Sequence, residues 1–340
     1  MNSLQAKYRR GELGLSLVEL MVALAIGTFL LAGTISVFDK TRDLYRTNEA
    51  AARLQETARY AMSTLEADLR MANYWGLMSR ADLIENGPAL DLANPPAVDP
   101  AYSLPAELAG YAGTINQCGA MWAIKLPAYV EATNSYTFGC AAAGNGAVAG
   151  SDTLTIRRVS TQVIDAAGLG ASAGQIKIQT SRVQGTLFSS TTLPAGYLPP
   201  LSETRAAIAH GYYIGQDSDE RTGTPSLRRK QLDDSGGAPA IMDVQIVPGV
   251  EDLQVELGAD LNNDQNADYF VQPNTAIPAG DQVVAARIWL LVRAEQPEAG
   301  FTDGRTYDYA SRTGGNVYTP ADNFRRVLVS KTIALRNTRR

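Results

Sequence analysis

The sequence predicts an α+β protein in which a long N-terminal helix, first transmembrane and then amphipathic, packs on an antiparallel β-sheet head. Three observations predict this fold. An apolar run over residues 15–38 contains a single ionisable side chain, Glu19. The chain then continues to Trp75 without proline or glycine, and its apolar residues recur at helical spacing. Segments that alternate apolar and polar residues, separated by turn-rich stretches, follow over residues 151–340.

Residues 1–14 form a basic leader, and residues 15–38 form the transmembrane half of the helix. The run of 24 residues is long enough to cross a bilayer as a helix. The leader has three basic residues against one acidic residue, whereas the flank beyond the run is balanced in charge. The positive-inside rule therefore predicts a cytoplasmic N-terminus and a head on the periplasmic side of the inner membrane.

The amphipathic half of the helix covers residues 39–75. Apolar side chains lie on one face of this segment, and charged side chains fill the other faces. Gly76 is a plausible stop signal. The sequence therefore predicts one continuous helix from Leu15 to Trp75.

Residues 76–150 are predicted to be irregular, with short helices, because prolines interrupt any long element. Both cysteines of the chain, Cys118 and Cys140, lie here. An exported location permits a disulfide, and closing a loop of this length stabilises a fold by about 3 kcal/mol in the loop-entropy model. We therefore predict a bridge. Two free buried thiols are the alternative, and metal binding is disfavoured because the chain has one histidine and no C-x-x-C pair.

The β-rich head is predicted over residues 151–340. Its strand-like segments alternate apolar and polar residues between turn signals. They cover residues 152–159, 175–180, 210–214, 226–232, 250–257, 283–294 and 326–335.

The residues from Gly14 to Glu19, Gly-Leu-Ser-Leu-Val-Glu, resemble the type III signal peptide of type IV pilins and pseudopilins. The family usually has Phe after the glycine, and this chain has Leu15. The resemblance implies that prepilin peptidase cuts between Gly14 and Leu15 and methylates the new amine of Leu15. It also implies that Glu19 pairs with the N-terminal amine of a neighbouring subunit during fibre assembly. An ordinary signal anchor with a stray glutamate is the alternative.

The physical cost of Glu19 agrees with a pairing role. A carboxylate at the bilayer centre costs roughly 2.5–3.5 kcal/mol on insertion scales. A buried carboxylate is tolerated when it is paired with an opposite charge. A functional role for Glu19, with a partner to be found, is therefore the hypothesis that this cost favours.

Several segments of the head resemble the PilW branch of minor pilins. The resemblance covers most of the chain outside residues 76–150 and 181–209. The resembling segments are Ser151 to Arg157, Tyr212 to Ile214 with Ser226 to Arg229, Gly249 to Val255, Phe324 to Arg326, and Ile333 to Asn337.

Catalysis and nucleic-acid binding are poorly supported. The chain contains one histidine, His210, and lacks G-x-S-x-G, H-E-x-x-H and Walker motifs. Its 30 basic and 35 acidic residues give a net charge of −5, whereas nucleic-acid binding favours a basic surface. We therefore predict a protein without enzymatic activity, nucleic-acid partner or small-molecule substrate, and assign His210 to structure.

One acidic stretch matches part of a calcium-loop pattern. Oxygen-bearing side chains stand at every second residue, the 1-3-5-7-9 register of an EF-hand loop. They are Asp260, Asn262, Asp264, Asn266 and Asp268. The stretch lacks the glycine at position six and the glutamate at position twelve of that loop. Calcium is therefore a candidate cofactor, and a polar turn built by Asn and Asp is the alternative.

Taken as a resemblance to PilW, the sequence implies a minor type IV pilin that is processed by prepilin peptidase. Such a protein takes part in pilus assembly and initiation at the pilus tip, with other minor pilins and the major pilin as partners. It moves from the inner membrane into the fibre at the cell surface. A type II secretion pseudopilin is one alternative. A membrane-anchored surface adhesin is another, from a different class.

Overall fold

The structure is a computed structural model. It describes residues 16–91, 97–278, 280–310 and 317–338. The chain divides into two compact units, one ending at Ala51 and the other beginning at Ala52. Helix α1, Leu17–Arg70, starts in the first unit and supplies the first element of the second.

Helix α1 ends at Arg70, so the prediction that it continues to Trp75 is wrong. The last turn tightens, because Met71 and Ala72 donate their N–H groups to carbonyls three residues back. Asn73 then adopts a left-handed φ of 61° and donates its N–H to the Arg157 carbonyl of the sheet. Asparagine is the residue after glycine most suited to this C-terminal position, so it ends the helix before Gly76.

The segment between α1 and the large sheet strands contains short elements. They are a 3₁₀ turn at Ala81–Leu83, β1 at Ile84–Glu85, α2 at Ala106–Ala109, α3 at Ala112–Ile115 and β2 at Val130–Thr133. Both strands join the main sheet. The sequence analysis missed them because each is too short to show alternation.

The first sheet has eight strands. Its central path runs β1-β5-β4-β6-β3-β2, and β7 and β8 extend it from β6. The helix α4, Ala166–Ala171, lies in the β3–β4 connection. The remaining strands of this sheet are β3 Thr153–Val159, β4 Lys177–Thr180, β5 Gly185–Phe188, β6 Glu203–Gly215, β7 Ser226–Ser235 and β8 Ala238–Pro248.

The second sheet has four antiparallel strands in the order β10-β9-β11-β14. Its strands are β9 Val250–Asp260, β10 Tyr269–Val271, β11 Gln282–Arg293 and β14 Arg326–Ala334. A two-stranded ribbon pairs β12 Tyr307–Asp308 with β13 Val317–Tyr318. A long N-terminal helix and an antiparallel head confirm the predicted fold class, although the head holds two main sheets.

The main hydrophobic core lies between the two sheets and the C-terminal half of α1. The helix contributes a stripe that includes Leu54, Ala58, Leu65 and Leu69, all buried. This stripe has the i, i+3, i+4 spacing of one helix face. A second core, built around Trp75 and Trp122, covers the opposite face of the eight-stranded sheet.

One acidic residue on the buried stripe anchors α1 to the eight-stranded sheet. The Asp68 carboxylate is 5% exposed and accepts hydrogen bonds from Arg158 Nε at 2.7 Å and the Tyr212 hydroxyl at 2.9 Å. His210 Nδ1 lies 2.6 Å from its second oxygen. Burial disfavours the carboxylate, but His210 and Arg158 outweigh burial and hold the pKa of Asp68 well below its usual range.

We predict that Asp68→Ala strongly destabilises the head. The change leaves the partly buried Arg158 without its carboxylate, and breaking one side of a buried pair costs about 3–5 kcal/mol. Urea denaturation of the full chain in detergent measures the free energy of unfolding. Glu66→Ala is the matched control, because Glu66 lies on the same helix and makes surface ion pairs with Arg70 of α1 and Lys331 of β14. Equal stability of the two variants would contradict an anchoring role for Asp68.

A second buried carboxylate sits where the two sheets meet. Asp152 is 2% exposed and accepts the Val255 N–H at 2.8 Å. Burial, together with the nearby Asp252 charge, raises the pKa of Asp152 to about 8. The protonated form is therefore the one that the folded head favours at neutral pH.

We predict that Asp152→Asn removes a pH dependence of stability. In the unfolded chain Asp152 ionises near its ordinary pKa of about 3.9, whereas the folded chain keeps its proton up to about pH 8. In wild type, the contribution of Asp152 to the free energy of unfolding is therefore complete below pH 4 and decreases as the pH rises to 8. Relative to wild type, the Asn variant should gain more than about 1 kcal/mol between pH 5 and pH 8, the equivalent of one pKa unit. Urea denaturation at both pH values measures the difference, and parallel pH profiles would contradict it.

Candidate functional site: the N-terminal helix and its first turn

The candidate site is the first turn of α1 and the apolar helix surface that follows it. Gly14 and Leu15, the predicted cleavage and methylation residues, lie outside the described residues. Glu19 lies in the first turn of the helix. The cleavage, methylation and pairing roles of these residues stay predictions.

Glu19 and Ser16 cap the helix reciprocally. Ser16 precedes the first helical residue, and its hydroxyl accepts the Glu19 N–H at 3.2 Å. The Glu19 carboxylate in turn accepts the Ser16 N–H at 3.4 Å. This is the capping box that satisfies two free donors of a helix start. The sequence analysis missed this role of Ser16, although the S-x-x-E spacing before an apolar run is its signature.

The apolar half of α1 presents its side chains outward. Leu17 is 76% exposed and Phe29 is 81% exposed. An 18-residue window of this helix has a mean hydropathy of 2.2, and none of it is buried. By length and composition the helix can cross a membrane, and a contiguous apolar surface of this kind marks a membrane or protein contact.

Hydroxyl groups inside the apolar half are satisfied within the helix itself. Thr28 donates to the Leu24 carbonyl at 3.0 Å, and Thr34 donates to the Leu30 carbonyl at 2.8 Å. Such back-bonding removes the cost of an unpaired hydroxyl in lipid. Glu19 is the ionisable residue of the apolar run over residues 15–38. Its charge, unlike these hydroxyl groups, needs a partner outside the helix.

The predicted bridge is confirmed. Cys118 and Cys140 form a disulfide with their Cα atoms 4.5 Å apart. The closed loop packs on β6 at Gly211, where a Cβ atom would come within 2.9 Å of the Trp122 ring. The loop and its disulfide therefore belong to the second core of the head.

The acidic stretch forms the hairpin turn between β9 and β10. The buried Asp260 carboxylate accepts the backbone N–H groups of Asn262, Asn263 and Gln265 at 2.7–3.1 Å. Asp268 accepts the Leu261 N–H at 2.7 Å. These are the hydrogen bonds expected of a polar Asx turn.

The outer oxygens of the turn follow the same pattern. Asn262 accepts the Asp264 N–H, and Asp264 accepts the Asn266 N–H. Among the described residues no group of three or more His, Cys, Asp or Glu side chains is arranged to hold a metal ion. The stretch therefore has the geometry of a polar turn built by Asn and Asp, which was the alternative to a calcium loop. Calcium binding stays a prediction.

We predict that Asp260→Ala lowers stability by about 2 kcal/mol or more, because a charged acceptor of three backbone amides is lost. Asp264→Ala is the control, since this exposed carboxylate accepts one backbone amide of the turn. Melting curves of the full chain with and without millimolar calcium test the metal at the same time. A calcium-dependent rise of Tm in wild type that Asp264→Ala abolishes would show a calcium site. Equal melting of all three proteins would contradict both roles.

Comparison with known proteins assigns the two parts of the chain. Residues 211–337 match the family model described as type IV pilus-assembly protein W, or PilW. Residues 9–35 match the prokaryotic N-terminal methylation motif. The chain is a type IV pilin-like protein with a PilW domain. The PilW match spans the second half of β6 to the end of β14, and the methylation motif spans the capped start of α1.

A relative of this pilin-like protein is the pilin-like protein PilA3 of Thermus thermophilus, which is 41% identical over 64 residues. The match covers 18% of this chain and 28% of the relative. A solved type IV-like pilin, also from Thermus thermophilus, aligns with 59% of this chain and 82% of its own, at 15% identity and a TM-score of 0.29. The matches to the two family models point to a structural protein rather than an enzyme.

The methylation motif and the apolar helix together indicate membrane anchoring, prepilin processing and partners in a pilus. The contact of His210 Nδ1 with the Asp68 carboxylate, at 2.6 Å, agrees with the structural role that the sequence predicts for this histidine.

Proposed function

We propose that this protein is a PilW-like minor pilin that takes part in pilus assembly and initiation at the pilus tip. The observation that carries the proposal is the order of its parts. A methylation motif precedes an exposed apolar helix, and a PilW domain forms most of the sheet head. Prepilin peptidase cuts between Gly14 and Leu15 and methylates the Leu15 amine.

The proposed route begins in the inner membrane. The basic leader stays in the cytoplasm by the positive-inside rule, so α1 crosses the membrane once and the head lies in the periplasm. The Cys118–Cys140 disulfide agrees with an oxidising compartment. Assembly then moves the subunit into the fibre beside other minor pilins and the major pilin.

Glu19 is the residue we propose to direct assembly. Its carboxylate pairs with the methylated N-terminal amine of a neighbouring subunit, which neutralises both charges away from water. The capping box holds the carboxylate in the first helical turn. Its position there reduces the conformational freedom that pairing must remove.

We predict that Glu19→Gln reaches the membrane but enters sheared pili at least tenfold less than wild type. Glutamine can still complete a capping box, so this variant removes the charge and keeps the cap. Ser16→Ala is the matched variant, because it removes the hydroxyl that accepts the Glu19 N–H and keeps the charge, and it should assemble at close to the wild-type level. Immunoblots of membrane and sheared-pilus fractions measure both steps, and mass spectrometry checks that each variant begins at methylated Leu15.

Three outcomes would count against the proposal. Equal recovery of Glu19→Gln and wild type in sheared pili would show that the charge is not needed for assembly. A deletion strain with normal piliation and twitching motility but impaired protein secretion would identify a type II secretion pseudopilin. Normal piliation with lost surface attachment would identify an adhesin.

A further inference from the structure

A small cavity lies between the disulfide loop and the eight-stranded sheet. Its volume is about 140 Å³. The loop contributes Cys118, Trp122, Lys125 and Phe138 to its wall. Exposed residues, Ala120 and Thr137, stand among those that line it, so the cavity has an exposed rim and a buried interior.

The sheet face beneath the loop is polar. Glu131 and Thr133 of β2 stand opposite Thr155 and Thr153 of β3 in the antiparallel register, and all four line the cavity. The Thr133 and Thr153 hydroxyls are 2.6 Å apart. Hydroxyl groups that are grouped in this way can exchange hydrogen bonds with a polar ligand.

The buried charges beside the cavity do not balance. Glu131 contacts Lys125 Nζ and Arg157 Nη1, each at 2.5 Å. One carboxylate therefore stands against two cations, which leaves a local charge of +1. Burial lowers the pKa of Lys125, so a second anion nearby would favour its charged form.

Two buried donors of this region have no partner among the described residues. They are Nε1 of Trp122, which lines the cavity, and Nη2 of Arg157, which contacts the cavity residue Glu131. Trp122 is 5% exposed and Arg157 is fully buried, and Arg157 Nε donates to the Trp122 carbonyl at 2.7 Å. Buried donors without an acceptor are rare in folded proteins and call for an explanation. A ligand with several acceptor oxygens, around which the loop adjusts so that these donors bind it, is such an explanation.

We propose that this cavity is a binding site for a small carboxylate-bearing compound of about one ring, such as an acidic sugar. An excess cation and buried N–H donors favour an anion with several acceptor oxygens. A cavity of about 150 Å³ accommodates a benzene-sized molecule, so the volume suits one six-membered ring whose substituents extend to the exposed rim. The Phe138 and Trp122 rings, 5.9 Å apart, supply an apolar wall for the ring.

Titration of the full chain in detergent micelles tests the site with three probes: sodium glucuronate, glucose and sodium acetate. Tryptophan fluorescence and calorimetry both report binding, since Trp122 lies in the wall. We expect saturable binding of glucuronate and at least tenfold weaker binding of glucose. Acetate shows which part of the ligand the cavity recognises. If acetate binds more weakly than glucuronate, the site recognises an acidic sugar; if the two bind equally, it recognises the carboxylate group alone. No saturable binding of either acid, or equal binding of glucose and glucuronate, would overturn the proposal.

Matched lysine variants show whether binding occurs in this cavity. Lys125→Met should weaken glucuronate binding about tenfold, and Glu131 keeps Arg157 as its partner in that variant. Lys331→Met, at an exposed lysine on β14, should bind as wild type does. Thr137→Val changes the exposed rim without touching the buried charges, and it should weaken binding even if Lys125→Met proves unstable. Unchanged affinity in both cavity variants would overturn the assignment.

Discussion

The pairing of Asp68 on α1 with Arg158 and His210 on the sheet is the interaction on which the head depends. A carboxylate on the buried stripe of a helix is tolerable only in the rotation and translation that bring it to its partners, Arg158 and His210. Apolar packing alone would allow the helix to slide by small steps, because such contacts are not directional. Asp68 therefore fixes the position of the C-terminal half of α1, and through the shared core it fixes how the two sheets close on it.

Buried charge pairs do the same for the strands. Arg157 is fully buried beside Glu131, and Arg326 is buried between Glu251 and Asp322. A one-residue slip in either strand would turn its arginine to the other face and leave a charge unpaired. Such a pair adds little net stability over an apolar pair. It makes the wrong registers costly. The described part of the head has fourteen strands, several of them very short, and these pairs help it to keep one arrangement.

The sequence predicts those features that repeat along the chain and fails where a single residue decides. The apolar run and the long alternating strands are periodic, so the helix and most of the larger strands could be predicted. The disulfide could be predicted because the chain has only two cysteines. The end of α1 depends on the left-handed Asn73, and the strand β8 starts and ends beside prolines, Pro239 and Pro248, which read as turns. The partners of Asp68 are 90 and 142 residues away, and local patterns carry no information at that distance.

The free energy of the helix cap and the cost of a charge in the bilayer show how capping by Glu19 relates to its proposed pairing role. Its capping bonds, at 3.2 and 3.4 Å, are worth about 0.5–2 kcal/mol at a helix start. A carboxylate in the bilayer core costs roughly 2.5–3.5 kcal/mol, so the cap by itself does not offset the charge. Near the membrane surface the cost is smaller, and a single subunit can hold Glu19 there by its cap alone. Once helices pack into the core of a fibre, water is excluded and an opposite charge becomes necessary. In the proposed function, the amine that cleavage before Leu15 would create supplies this charge, so processing and assembly would be coupled through one carboxylate.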